Sequence, residues 1–135
     1  MRKDRRTVLR ILVVDDEPLI RYAISRFLSE EGHLSKGVAT AEEAIGEVNT
    51  QYYDFCFLDI NLPGITGLEA MERINEISPA TKVIIMTGNF LSDATIEQIE
   101  DLSYAFLEKP FNLSQISKLV DRKYDFPAEQ QIIYE

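Results

Sequence analysis

Apolar runs of strand length alternate along this chain with segments whose apolar residues recur at helical spacing. The first run, Leu9-Arg10-Ile11-Leu12-Val13-Val14, is followed by Ile20, Ala23, Ile24, Phe27 and Leu28, which share one helix face. Pro18 suits the first turn of that helix and Gly32 its end. A weaker strand follows around residues 34–39, where Lys36 and Gly37 dilute the apolar pattern. Thr40 and Glu43 then have the spacing of a capping box, opening a helix with Ala41, Ala44, Ile45 and Val48 on one side.

The second half repeats the scheme. Phe55-Cys56-Phe57-Leu58 reads as a strand, and Pro63-Gly64 stand in the order a type II turn wants. Leu68, Met71, Ile74 and Ile77 mark a third helix closed by Ser78-Pro79. Val83-Ile84-Ile85-Met86 predicts the fourth strand. Residues 92–102 carry a poor stripe (Ile96, Ile99, Leu102), so this helix should be the least firmly seated. Tyr104-Ala105-Phe106-Leu107 predicts the last strand, and Leu113, Ile116, Leu119 and Val120 the last helix, ending before Phe126-Pro127. Strand and helix thus alternate five times, the pattern of an open parallel sheet covered on both faces, and right-handed crossovers make it doubly wound.

At 135 residues the chain fits one domain with one core. No apolar run approaches a membrane span, and the basic N-terminus lacks the apolar segment of a signal peptide. The single cysteine, Cys56, lies inside an apolar run and reads as a buried reduced thiol, in keeping with a cytoplasmic setting. Net charge is −9, yet residues 1–10 sum to +4, which leaves −13 on the remainder. Such a body does not hold nucleic acid by phosphate neutralisation. The basic arm reads as a solvated tail, and Lys118 and Arg122 as a solvated face of the last helix. His33, after Gly32, reads as a surface residue, and Phe111 as packing.

What changes the picture is where the strands end. They stop at Asp15-Asp16-Glu17, at Asp59, at Thr87-Gly88 and, through Glu108, at Lys109-Pro110. Each alone is an ordinary cap or turn. In a parallel sheet, however, these C-terminal ends share one edge, where α/β folds place ligands. Two carboxylates about 5 Å apart repel by roughly 3 kcal/mol at an effective dielectric near 20, so three of them raise a pKa or recruit a cation. Oxygen ligands with room for water and phosphate suit Mg²⁺. Lys109 supplies a second positive charge and Thr87 a hydroxyl, an assembly fitted to phosphoryl transfer. Asp59 is the better nucleophile, since the adjacent Asp15-Asp16 pair suits metal holding.

The segments 13–18, 58–69, 86–88 and 106–111 together resemble the receiver domain of two-component response regulators, over about residues 7–124. The resemblance implies a flavodoxin-like, doubly wound α/β fold: a five-stranded parallel sheet in order 2-1-3-4-5 with five helices in three layers. Residues 1–6 would then be a basic arm and 125–135 a tail or linker. It further implies that Asp59 is the phosphoacceptor, served by a sensor histidine kinase or histidine phosphotransfer protein. Mg²⁺ would be held by Asp16, Asp59 and the Asn61 backbone carbonyl, with Asp15 acting through water. Thr87 and Lys109 would contact the phosphoryl oxygens, Thr87 and Phe106 would switch, and Asn61 and Asn89 would tune dephosphorylation.

Downstream, the resemblance implies an effector protein or a C-terminal output domain, no direct contact with nucleic acid or membrane, and pairing of two copies on phosphorylation. Catalysis would be confined to the domain's own phosphorylation and dephosphorylation, so the chain is not expected to be an enzyme. This chain departs from the family in two places. Phe106 lacks the usual tyrosyl hydroxyl, and Leu102-Ser103 replaces a frequent Gly-Ala, removing the residue that favours a left-handed helix end. The rival reading is a docking module of the same fold that works without phosphorylation. A free-standing phosphatase or flavin carrier fits less well, for lack of a Gly-rich phosphate loop or an Asp-x-Asp pair.

Overall fold

The computed structural model describes residues 8–88, 91–121 and 132–133. The basic arm, Asn89, Arg122 and all of the tail except Ile132 and Ile133 lie outside these residues. The strands β1 (Arg10–Val14), β2 (Leu34–Val38), β3 (Phe55–Asp59), β4 (Lys82–Thr87) and β5 (Ala105–Glu108) form one parallel sheet in the order β2-β1-β3-β4-β5. The predicted fold is therefore present. A sixth strand, β6 (Ile132–Ile133), adds itself in parallel beside β5, in a segment read from the sequence only as tail or linker.

Alternation along the strands explains the three layers. Leu12, Val14, Cys56, Leu58, Val83, Ile85 and Phe106 face one side and pack with α2 (Ala41–Thr50), α3 (Gly67–Ile77) and Ile99 of α4 (Asp93–Leu102). Ile11, Val13, Phe55, Phe57, Ile84, Met86, Ala105 and Leu107 face the other, against α1 (Pro18–Glu30) and α5 (Leu113–Asp121). Cys56 is fully buried, and the loss of water around it pushes its thiol up to about 12. It is an inert part of the core.

Local signals place the helix ends. Pro18 opens α1, Gly32 follows it at φ +93°, and Thr40 and Glu43 form the reciprocal capping box of α2. Gly64 at φ +82° follows Pro63 in the turn after β3. The fourth helix buries only Ile99, as its poor stripe predicted. Its exit needs no left-handed residue: Ser103 is extended, and both its N–H and its hydroxyl donate to the Ile99 carbonyl. Asn75 of α3 donates to the Leu102 carbonyl at 3.2 Å.

Two readings need correction. His33 is buried, because the turn at Gly32 brings it back between the end of α1 and the start of β2, where its Nδ1 accepts the Leu9 N–H at 3.1 Å. On α1, Ile24 and Leu28 reach the core, whereas Ile20 is half-buried and Ala23 exposed. Their side of the helix borders an open apolar groove instead.

Gly67 fixes the loop after β3. A Cβ there would lie 2.3 Å from the Ile60 Cα, and the Gly67 N–H donates to the Ile60 carbonyl at 3.2 Å. Backbone cannot yield as a flexible side chain can. Gly67→Ala should lower unfolding free energy by about 1–3 kcal/mol in urea titration; an unchanged midpoint would contradict this close approach.

Candidate functional site

Register alone brings the strand ends together. Val14 pairs with Leu58, Asp59 with Met86, and Thr87 with Glu108. Asp15 and Asp59 therefore lie at one level, on the same face as Val13 and Phe57. Thr87 lies on the opposite face, with Ile85 and Phe106, and is 2% exposed. Asp16, Glu17 and Asn61 stand in the loops just beyond.

Lys109 reaches back into this edge. Its Nζ donates to Asp15 Oδ2 at 2.8 Å and to Asp59 Oδ2 at 3.2 Å, and Glu17 Oε1 lies 3.5 Å away. Asp15 is wholly buried, Asp59 nearly so, and Lys109 17% exposed at its side chain. The second carboxylate oxygens are used too. Asp15 Oδ1 accepts the Glu17 N–H and Asp59 Oδ1 the Asn61 N–H, both at 2.9 Å. Backbone bonds fix the frame: Asp15 N–H to the Val38 carbonyl, Ile60 N–H to Met86, and Lys109 N–H to Thr87. The Lys109–Pro110 peptide is cis.

One carboxylate oxygen from each of Asp15, Asp16 and Asp59 lies within 4.8 Å of the others. With Glu17 this is four carboxylates against one ammonium. Asp16 is exposed and makes no ion pair among the described residues. A hard-oxygen donor set with excess negative charge and an open side fits a divalent cation such as Mg²⁺.

The charges leave their mark on proton affinity. Burial raises the Asp59 pKa above 3.8, and the nearby Asp15 charge adds to this, against the opposing pull of the Asn61 N–H and Lys109. Burial works against the Lys109 ammonium, but hydrogen bonding and attraction from Asp15 and Asp59 outweigh it and lift its pKa. The ammonium stays charged.

Asp15, Asp16, Asp59 and Lys109 thus meet as sequence reasoning placed them, while Thr87 ends β4 at the same rim but on the opposite face, its backbone carbonyl accepting the Lys109 N–H. Phe106 is buried on Thr87's face, in the same cluster as Ile85 and Ile99. Asn61 touches Asp59 through its backbone; Asn89 lies outside the described residues. Glu17 was not assigned a role, although its position directly after Asp15-Asp16 was the available signal. Beside Lys109 runs an apolar groove of about 600 Å³, bordered by Leu19, Ile20, Ala23, Gly88, Phe111 and Leu113. Leu19 is 81% exposed on its rim.

Comparison with known proteins places this geometry. Residues 11–121 match the family model described as response regulator receiver domain. The transcriptional regulatory protein TcrA of Mycobacterium tuberculosis is 36% identical over 108 residues, covering 80% of this chain and 43% of that protein. The CheY-like receiver domain protein of Methanospirillum hungatei superposes with a TM-score of 0.81 at 26% identity, covering 93% of this chain and 97% of its own. Response regulator TrrA of Thermotoga maritima, in complex with Mg(2+)-BeF, gives 0.76 at 33% identity, over 86% of this chain and 99% of its own. The chain spans a quarter to just under half of the curated relatives it matches.

Asp59's raised pKa fixes a sign. The native carboxyl holds its proton more tightly than the unfolded one. Its contribution to stability is complete below the unfolded pKa near 3.8 and is lost as pH rises through the higher native value. Charged Asp59 therefore costs stability at neutral pH. In EDTA, Asp59→Asn should unfold at higher denaturant than wild type at pH 7, with the gap closing toward pH 4. A gap that widens on acidification would contradict this.

Proposed function

The chain belongs to the response regulator receiver domain family, and on that premise we propose that it is a phosphoacceptor switch of a two-component relay, with Asp59 as acceptor. The observation that carries this reading is the Lys109 ammonium shared by Asp15 and Asp59 inside an acidic pocket at the strand ends. A domain that only docks partners gains nothing from holding such repulsion. The receiver extends over residues 7–124, with the basic arm before it and a tail or linker after.

An Asp59 carboxylate oxygen attacks the phosphorus of a phosphohistidine; the new O–P bond forms as the N–P bond breaks, and the imidazole leaves. Lys109, already 3.2 Å from Asp59, neutralises charge developing on the phosphoryl oxygens. Thr87 donates its hydroxyl to another of those oxygens. Asp16, Asp59 and the Asn61 carbonyl would hold Mg²⁺, with Asp15 acting through water. When bound, the ion offsets carboxylate repulsion and orients the phosphoryl group. That the similar regulator TrrA forms a complex with Mg(2+)-BeF supports an ion as part of this reading.

Phosphorylation replaces one carboxylate charge with about two on the phosphate. Movement of Thr87 toward them alters the packing on the face it shares with the already buried Phe106, and that repacking relays the change to α4, β5 and α5. Phe106 switches by packing, without a tyrosyl hydroxyl. Asn61 and Asn89 set the hydrolysis rate. The phosphate donor is a histidine kinase or phosphotransfer protein, and its landing surface is the groove edged by Leu19 and Ala23, next to Lys109. Output passes to an effector or to a further domain, as the longer regulator TcrA suggests. Among the described residues no helix is long and apolar enough to cross a membrane, and the setting we assign is cytoplasmic.

Acetyl phosphate with Mg²⁺ should add one phosphate, read by intact mass, and Asp59→Asn should take none. Equal labelling of that variant would refute the nucleophile, and no labelling of wild type would favour the docking module. Leu19→Asp should slow transfer from a phosphorylated histidine kinase at least tenfold while leaving acetyl phosphate labelling unchanged. Equal loss with both donors would contradict the landing surface.

A further inference from the structure

The edge of β5 that faces away from β4 is occupied by the chain itself. Phe106 pairs with Ile85 on one side and with Ile132 of β6 on the other, and Leu107 pairs with Ile133. Ala105, Phe106 and Leu107 are all buried, so an unpaired β5 would present an apolar edge to any strand that met it. The sequence supplies a suitable occupant, since Ile132-Ile133-Tyr134 joins two β-branched residues to an aromatic one. The order β5-α5-β6 with parallel ends is a βαβ unit, so the pairing closes within one chain.

We propose that the segment at Ile132–Ile133 is a strap held in cis on the β5 edge, and that its docking is coupled to the buried position of Phe106. The coupling rests on the switch reading of Asp59; the docking does not. Phe106 and Leu107 are both in register with β4 and with the strap, and of the two it is Phe106 that shares the face of Ile85 and Thr87; in this structure its ring is buried while the strap is docked. A docked strap holds β5 on both edges and so favours that arrangement. A two-residue strand is marginal by itself, and a modest bias at the site moves its population. Coupling of this kind is reciprocal: what tightens Phe106 burial tightens the strap, and loss of the strap weakens loading of the site. The strap also denies the β5 edge to foreign strands while it is docked.

Residue-resolved hydrogen exchange on the full chain tests both parts. In the double variant Ile132→Asp/Ile133→Asp, the β5 amides that face β6 should exchange at least tenfold faster than in wild type, while those of Phe57 in β3 stay unchanged. Equal β5 exchange in the two proteins overturns the docking. Protection that grows with protein concentration overturns its cis character in favour of a second copy. In the second arm, Mg²⁺ and the phosphoryl mimic beryllofluoride should raise wild-type protection of Ile132 and Ile133 at least threefold. The double variant should bind beryllofluoride at least threefold more weakly by ¹⁹F NMR. Loading that leaves the strap amides unchanged overturns the coupling while the Asp59 reading stands. Failure of wild type to bind the mimic at all defeats the Asp59 reading and the coupling together, leaving docking to be decided by the first arm.

Discussion

A single ammonium among carboxylates is the constraint on which this structure turns. Lys109 bridges Asp15 and Asp59 across two strands that are not its neighbours, and it does so where burial has removed most of the screening water. Neither aspartate would tolerate the other at that depth without it, because an uncompensated buried charge is far more costly than a paired one. Yet one ammonium does not balance the cluster. Asp16 and Glu17 add two further charges at the open side, while burial first, and the Asp15 charge after it, raise Asp59's proton affinity. The pocket is held together and left wanting a second cation by the same arrangement.

The fold delivers this arrangement through register. Parallel strands begin and end together, so four acidic, hydroxylic and basic residues far apart in sequence reach one rim without any special loop. Period-2 alternation then sorts them: Asp15 and Asp59 face the α1 and α5 side, Thr87 and Phe106 the α2, α3 and α4 side. Gly67, in contact with the Ile60 backbone, keeps the loop carrying Asn61 tight against Asp59.

Much of this was legible in the sequence. The strand and helix alternation, the capping box at Thr40 and Glu43, the poor seating of α4 and the meeting of Asp15, Asp16, Asp59 and Lys109 all follow from short-range patterns read with one topological rule. Strand order came from the family resemblance and not from periodicity. What escaped depends on contacts between distant segments. His33 looked like a surface residue because nothing local shows that its ring accepts the Leu9 N–H. Ala23 carried the right spacing for the core, but it lies exposed on the border of the apolar groove beside Lys109. The exit from α4 was solved by the Ser103 hydroxyl and Asn75, which no helix-end rule names. A two-residue strand such as β6 is too short for any period to announce it.

The central claim is that the cluster of Asp15, Asp16, Glu17 and Asp59 is electrostatically incomplete with Lys109 alone and is completed by a divalent ion. The most direct measurement is unfolding free energy against Mg²⁺ concentration at pH 7. Wild-type stability should rise logarithmically once Mg²⁺ exceeds its dissociation constant, and Asp16→Asn should flatten that rise. Curves for the two proteins that run parallel, or a wild type indifferent to Mg²⁺, would contradict it.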